Sequence, residues 1–162
     1  MAQKKACELK DLGTTLYHVR PSDAPSIVLE LDELWSFVVK KTNKRWVWLA
    51  LCRQTRQVVG YAIGDRSEIT CQRLWNAIPD EYRQGMSYSD FWEAYQAVVP
   101  DEHHEAVGKE TGETAHIERF NNTIRQRLAR FVRKTLSFSK TDEMHEICLR
   151  LFLFRYNEEL LW

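Results

Sequence analysis

Hydrophobic and polar positions change period along this chain. The segment SIVLELDELWSFVVK places Ile27, Leu29 and Leu31 on one alternating face and continues through Trp35, Phe37 and Val39, with an expected change of phase around the acids. KRWVWLALCR and RQVVGYAIGD are two further β-rich runs joined by RQTR, which reads as a hairpin. Three adjacent antiparallel strands follow. EITCQRLWNAIP then predicts a helix capped by Ser67, with Ile69, Leu74 and Ile78 on its apolar face and Pro79 as its stop. RQGMSYSD reads as a short strand, FWEAYQAVVP as a helix ending before Pro100, and HEAVG as another short strand before a Gly-containing loop. From Thr114 a longer helix is expected, because Ile117, Phe120, Ile124, Leu128 and Phe131 recur every three or four residues. A last helix, about 141–159, would bury Met144, Ile147, Cys148, Leu151 and Phe154, with Ser139 or Thr141 at its cap.

Three strands, a helix, a strand and further helices is the order of an α/β ribonuclease-H-like fold, a mixed sheet with flanking helices, here followed by C-terminal helices; other α/β domains begin the same way. Residues 1–25 read as an arm or linker and 26–162 as the domain. A chain of 162 residues with 44% hydrophobic and 12% aromatic content can bury a real core. Cys7, Cys52, Cys71 and Cys148 are scattered with no C-x-x-C pair, which argues against a zinc site or disulfide framework and for reduced thiols. No run approaches the roughly 20 apolar residues of a membrane span, and the N-terminus lacks a signal-peptide core, so a cytosolic protein is expected.

Charge changes the picture more than composition does. The net charge is zero, yet 80–113 holds the acids Asp80, Glu81, Asp90, Glu93, Asp101, Glu102, Glu105, Glu110 and Glu113 against only Arg83 and Lys109. The next stretch is the reverse: after Glu118 come Arg119, Arg125, Arg127, Arg130, Arg133, Lys134 and Lys140, with no further acid up to 140. Such polarity is either a solvated face or a nucleic-acid footprint beside a metal site. Asp32 interrupts an apolar strand, where a charge is costly unless paired or bound to a cation. Asp90 ends the predicted fourth strand, and Glu118 lies in the first turns of the long helix. Three carboxylates from separate elements are enough for Mg²⁺, or Mn²⁺, expected as two ions, serving in-line phosphoryl displacement without a histidine base or a covalent nucleophile. The arginines beyond Glu118 would then hold phosphates of the same DNA.

The blocks LDELWSFV, RWVWLAL with VVGYAIGDR, YSDFWEAY, and HIERFNNTIRQRLARFVRKTLSFSK, spread in that order between about Val28 and Tyr156, resemble the catalytic half of insertion-sequence-one type transposases, the InsB-type reading frame. The resemblance implies a DDE transposase in which Asp32, Asp90 and Glu118 are the metal-binding acids, cutting DNA at the ends of the element and joining the 3′ hydroxyl to target DNA. It also implies a homo-oligomer that bridges two DNA ends, and a zinc-finger and helix-turn-helix region that in the family precedes the catalytic part or is joined to it by frameshifting. Two departures stand out: Phe91 follows Asp90 where glycine is often seen, and the interval from Asp90 to Glu118 is slightly long.

DNA contacts are expected from Arg119, Asn122, Arg125, Arg127, Arg130, Arg133, Lys134 and Lys140, with Asn122 and Arg125 on the helix face of Glu118. Asn121, Ser137 and Ser139 are further polar candidates, and Trp35 and Trp92 could stack on an unpaired base. Each residue also has a plainer reading: an exposed Glu33 beside Asp32, Asp90 as a helix cap, Glu118 as a first-turn acid at the positive helix end. His103, His104 and His116 read as surface histidines rather than ligands. The alternatives to a transposase core are a nuclease on the same fold and a non-catalytic DNA-binding or regulatory partner of a longer transposase.

Overall fold

The computed structural model describes residues 11–161; Cys7 and Trp162, and residues 1–10 of the expected arm, lie outside them. Strands β1 (Val28–Phe37), β2 (Lys44–Cys52), β3 (Val58–Gly64), β4 (Met86–Ser89) and β5 (His104–Ala106) form one mixed sheet in the order β3-β2-β1-β4-β5. The first three are antiparallel neighbours, whereas β4 runs parallel to β1 and β5 parallel to β4. The helices are α1 (Glu68–Ala77), α2 (Glu93–Val98), α3 (Ala115–Arg127) and α4 (Asp142–Glu159). This is the expected ribonuclease-H-like arrangement followed by a C-terminal helix. Among the described residues no helix is long and apolar enough to cross a membrane.

The sheet has a core on each face because its central strands are apolar on both sides. Leu29, Leu31, Trp48 and Ala50 pack with Cys71, Leu74, Tyr82 and Tyr95 under α1 and α2. On the other face Leu34, Val47, Leu49 and Leu51 pack with Ile117, Phe120 and Ile124 of α3 and with Leu149 and Leu153 of α4. The change of phase expected in β1 does not occur: its pairing with β2 runs without a shift from Leu29↔Cys52 to Phe37↔Lys44. Of its odd positions Leu29, Leu31 and Glu33 face α1 and α2, and its even positions, Glu30, Asp32, Leu34 and Ser36, face α3 and α4.

The buried faces of two helices depart from the expected ones, in part for α1 and throughout for α4. In α1 Leu74 and, at its C-cap, Ile78 are buried as expected, but Ile69 is 76% exposed, and Thr70, Cys71 and Trp75 are buried beside them. Ser67 sits at the N-cap, but its hydroxyl bonds to Asp65, whose Oδ1 also accepts from Thr70 at 2.8 Å. In α4 the buried stripe is His145, Leu149, Leu153 and Asn157, one position along from Met144 and Cys148 and two from Leu151. Apolar residues surround this helix, so hydrophobicity alone does not choose its face; two polar side chains do. Asn157 accepts from Val58 N at 2.9 Å and donates to Val58 O at 2.8 Å and Thr15 Oγ1 at 3.0 Å, tying edge strand β3 and the 3-10 turn Leu12–Thr15 to α4. His145 joins Ser36 Oγ (2.8 Å) to Ser139 Oγ (2.7 Å) and stacks on Phe131 at 4.2 Å. Thr141 caps α4 as expected, accepting from Met144 N.

Helix α3 also stops sooner than its apolar stripe implies. Leu128 is already extended, and Phe131 reaches the core from the 3-10 turn Ala129–Phe131. The basic stretch is thus a helix followed by an irregular segment, held by Phe131, by His145 and by Val39 N donating to Ser139 O at 2.8 Å.

Burial lowers the pKa of His145 to about 4. Between that value and about 6.5 the unfolded chain binds a proton that the folded chain does not, so stability is lost as pH falls across this window, by about 3 kcal/mol in all. Urea unfolding of His145→Gln is expected to give a flatter stability profile between pH 6.5 and 4 than the native chain; an equally steep profile would assign the acid limb to other groups.

Candidate active site

The active-site candidate begins with register. In β1, Glu30 and Asp32 point to the α3 face, and each carboxylate engages that helix. The Glu30 side chain is fully buried. Its Oε2 accepts from the backbone N of His116 (2.9 Å) and of Ile117 (3.0 Å), and its Oε1 from Arg53 Nε (2.8 Å) and His116 Nδ1 (2.7 Å). The first N–H groups of a helix have no partner within it, and here a strand carboxylate supplies one while meeting the positive end of the helix dipole. Thr114, at the N-cap, makes no capping bond to the backbone; its hydroxyl donates to Glu118 Oε1 at 3.0 Å. Arg53 extends the tie to the loop before α3 through Glu113 O and Glu113 Oε2.

One turn into α3, Asn121 Nδ2 donates to Asp32 Oδ2 at 2.7 Å. Asp90 lies just beyond β4, where its Oδ1 accepts from Trp92 N at 3.0 Å; the helix it precedes starts at Glu93, so the bond closes a turn before α2. Asp32, Asp90 and Glu118 line one pocket of 330 Å³, together with Glu33, Asn121 and Asn122 and the cations Arg66, Lys109, Arg125 and Arg133. Burial, and then the charges of Glu33, Asp90 and Glu118, push the Asp32 carboxyl up to about 7.

The donor set is all oxygen, which suits a hard cation such as Mg²⁺, an ion that takes few carboxylates and keeps water. Asn121 Oδ1, buried and without a partner among the described residues, adds an unused acceptor beside Asp32. Among the described residues the acids do not stand as a ready-made cage of three ligands. They line an open pocket whose residues fit a divalent ion by donor type and by accumulated negative charge.

The basic residues separate into groups. Asn122, Arg125 and Arg133 line the acid pocket, while Arg119 faces a groove with Arg56 and Tyr156, and Arg127 faces one with Leu128 and Phe152. Arg125 spends its donors on Phe131 O and Trp35 O, and Arg130 reaches Phe138 O, so both also brace the basic segment. Arg133, Lys134 and Lys140 are exposed. Of the histidines, His104 bonds Ser89 Oγ at 2.8 Å, and His116 belongs to the Glu30 cluster.

Sequence reasoning missed three of these residues. Glu30 was readable as an acid sharing a strand face with Asp32. Glu33, exposed only in the plainer reading of Asp32, is buried; it accepts from Arg66 and from Tyr95 OH at 2.7 Å. Arg66 carries no sequence signal, because its position depends on how β3 ends.

A ribonuclease-H-like sheet thus brings carboxylates from β1, the end of β4 and α3 to one pocket. The family description "IS1 transposase" matches residues 26–157. The chain is 38% identical over 131 residues to the insertion element iso-IS1n protein InsB of Shigella dysenteriae, covering 81% of this chain and 97% of that protein. It is 35% identical over 120 residues to the insertion element IS1 protein InsB of Shigella flexneri, covering 74% and 88% of the two chains. To the insertion element IS1 4 protein InsB of Escherichia coli K12 it is 33% identical over 128 residues, covering 79% and 74%. The chain belongs to the IS1 transposase family.

The carboxylates of Glu30 and Asp32 in β1 have opposite expected effects. Glu30→Ala takes one carboxylate partner from Arg53, which keeps Glu113, and leaves the N–H groups of His116 and Ile117 without theirs; a loss of about 3–5 kcal/mol is expected in urea unfolding, and a loss below about 1 kcal/mol would contradict the tie. For Asp32 the folded chain holds a proton between about pH 4 and 7 that the unfolded chain has released, so stability falls as pH rises through that range. Asp32→Asn should therefore melt higher than the native chain at pH 8, by up to about 4 kcal/mol of added stability, with the gain vanishing near pH 4. A variant that melts lower at pH 8 would contradict the account.

Proposed function

We propose that the pocket is a metal-dependent DDE transposase site that cuts DNA at the ends of an insertion element and joins the freed 3′ hydroxyl to target DNA. The observation that carries this reading is the meeting of Asp32, Asp90 and Glu118, from three separate elements, in one polar pocket rimmed by cations.

Asp32, Asp90 and Glu118 would hold Mg²⁺ or Mn²⁺, as two ions. When bound, such ions activate the attacking oxygen and stabilise charge on the departing one. The protein's part is positioning. Asn121 orients Asp32, Thr114 orients Glu118, and Glu30 fixes the helix that carries both Asn121 and Glu118. Arg133, Lys134 and Lys140 offer exposed charge to the DNA backbone, and Lys109 brings charge to the pocket from the β5–α3 loop. Arg119 and Arg127, facing other grooves, would meet phosphates farther along the duplex.

The test is cleavage and joining on a pre-nicked DNA end with Mg²⁺ or Mn²⁺. Glu118→Gln, Asp90→Asn and Asp32→Asn should each reduce both steps by about a hundredfold or more, the scale of losing one electrostatic partner of a transition state, with DNA binding retained. Cutting without joining by the native chain would support the nuclease alternative. Full activity in all three variants would refute the assignment.

A further inference from the structure

One cation of the pocket is built unlike the others. Arg66 leaves the end of β3 on the α1 side of the sheet, in a loop fixed by Trp48 Nε1 donating to Asp65 O at 2.9 Å and by the bonds of Asp65 to Ser67 and Thr70. Its guanidinium carbon lies over the ring of Trp92, 3.9 Å from the centroid, and over that of Trp46, 4.7 Å from the centroid. Nε donates to Glu33 Oε1 at 2.8 Å, and Nη2 donates to the same oxygen. Two aromatic faces fix the plane of the group, and one carboxylate takes one of its edges. Among the described residues the hydrogen bonds of Arg66 all go to Glu33, which leaves Nη1 and the second N–H of Nη2 as an unused fork.

Neutralising Glu33 accounts for the first edge only. The Glu33 side chain is 2% exposed, whereas that of Arg66 is 34% exposed and lines the same pocket as Asp32, Asp90 and Glu118. A planar fork of two N–H groups, held rigid at the edge of a pocket, matches the oxygens of a phosphate. It also approaches from the sheet face opposite α3, the helix that brings Arg125.

We propose that Arg66 is a phosphate-binding residue of the pocket, its free edge holding a backbone phosphate of the DNA strand from the side opposite α3. This rests on the transposase reading above, and DNA binding can be measured apart from catalysis. The probe is a nicked DNA duplex, bound over a salt titration by chains that all carry Glu118→Gln.

Glu33→Gln with Arg66→Gln removes both charges of the pair and leaves none buried; Glu33→Gln alone keeps the guanidinium. The double variant should bind about tenfold more weakly, with its slope of log affinity against log salt shallower by about 0.9, the loss of one phosphate contact. Glu33→Gln alone should keep the parent slope. Equal slopes for the two variants would overturn the inference, and absence of salt-dependent binding by the parent would overturn it together with the DNA reading of the pocket.

If the double variant melts early, DNA with single neutral methylphosphonates replaces it as the readout. The parent should then lose affinity at one position where Arg66→Lys does not, and equal sensitivity at every position would overturn the inference.

Discussion

The carboxylate of Glu30 is the joint on which the site depends. It is an acidic side chain near the start of the central strand with no access to solvent, and such a group is tolerable only when its lone pairs are filled. Arg53 and the ring and backbone of the first turn of α3 fill them. The helix cannot slide or rotate against β1 without breaking those bonds. Glu118 and Asn121 are therefore delivered to the level of Asp32 by the same contact that ends the helix.

That joint gives β1 a division of labour. On its odd face Leu29 and Leu31 make core, and Glu33 anchors Arg66 and Tyr95. On its even face Glu30 sets α3, Asp32 faces the pocket, Leu34 makes core, and Ser36 meets His145 of α4. Asp32 is the unfavourable member of this row. Its carboxyl is pushed up by burial and by neighbouring acids, so above neutral pH the fold carries a charge it would be more stable without. Glu30 is fixed by structure, and Asp32 is retained at a cost, which is the pattern expected where function opposes stability.

Much of the fold was legible because periodicity and turn chemistry agree over β1 to β3, α1 and α3. The acids could be picked out as charges in apolar or helix-starting positions, and the pocket brings them together. Legibility failed where one polar bond outweighs several apolar side chains. The face of α4 is set by His145 and Asn157, which look like interruptions of an apolar helix until their partners on the sheet are known. Helix α3 yields at Leu128, and Phe131 still reaches the core. Arg66 and the exposed Ile69 flank the start of α1, where a loop conformation decides what is covered. The arginines read as one basic run divide between the acid pocket and two other grooves, a division set by helical phase and by the end of α3.

Anomalous diffraction from crystals grown with Mn²⁺ tests the central claim most directly, because it locates the ion without depending on activity. The account predicts a peak in the pocket among Asp32, Asp90 and Glu118, lost in Asp32→Asn with Glu118→Gln. A peak elsewhere, with none in that pocket at saturating Mn²⁺, would contradict it.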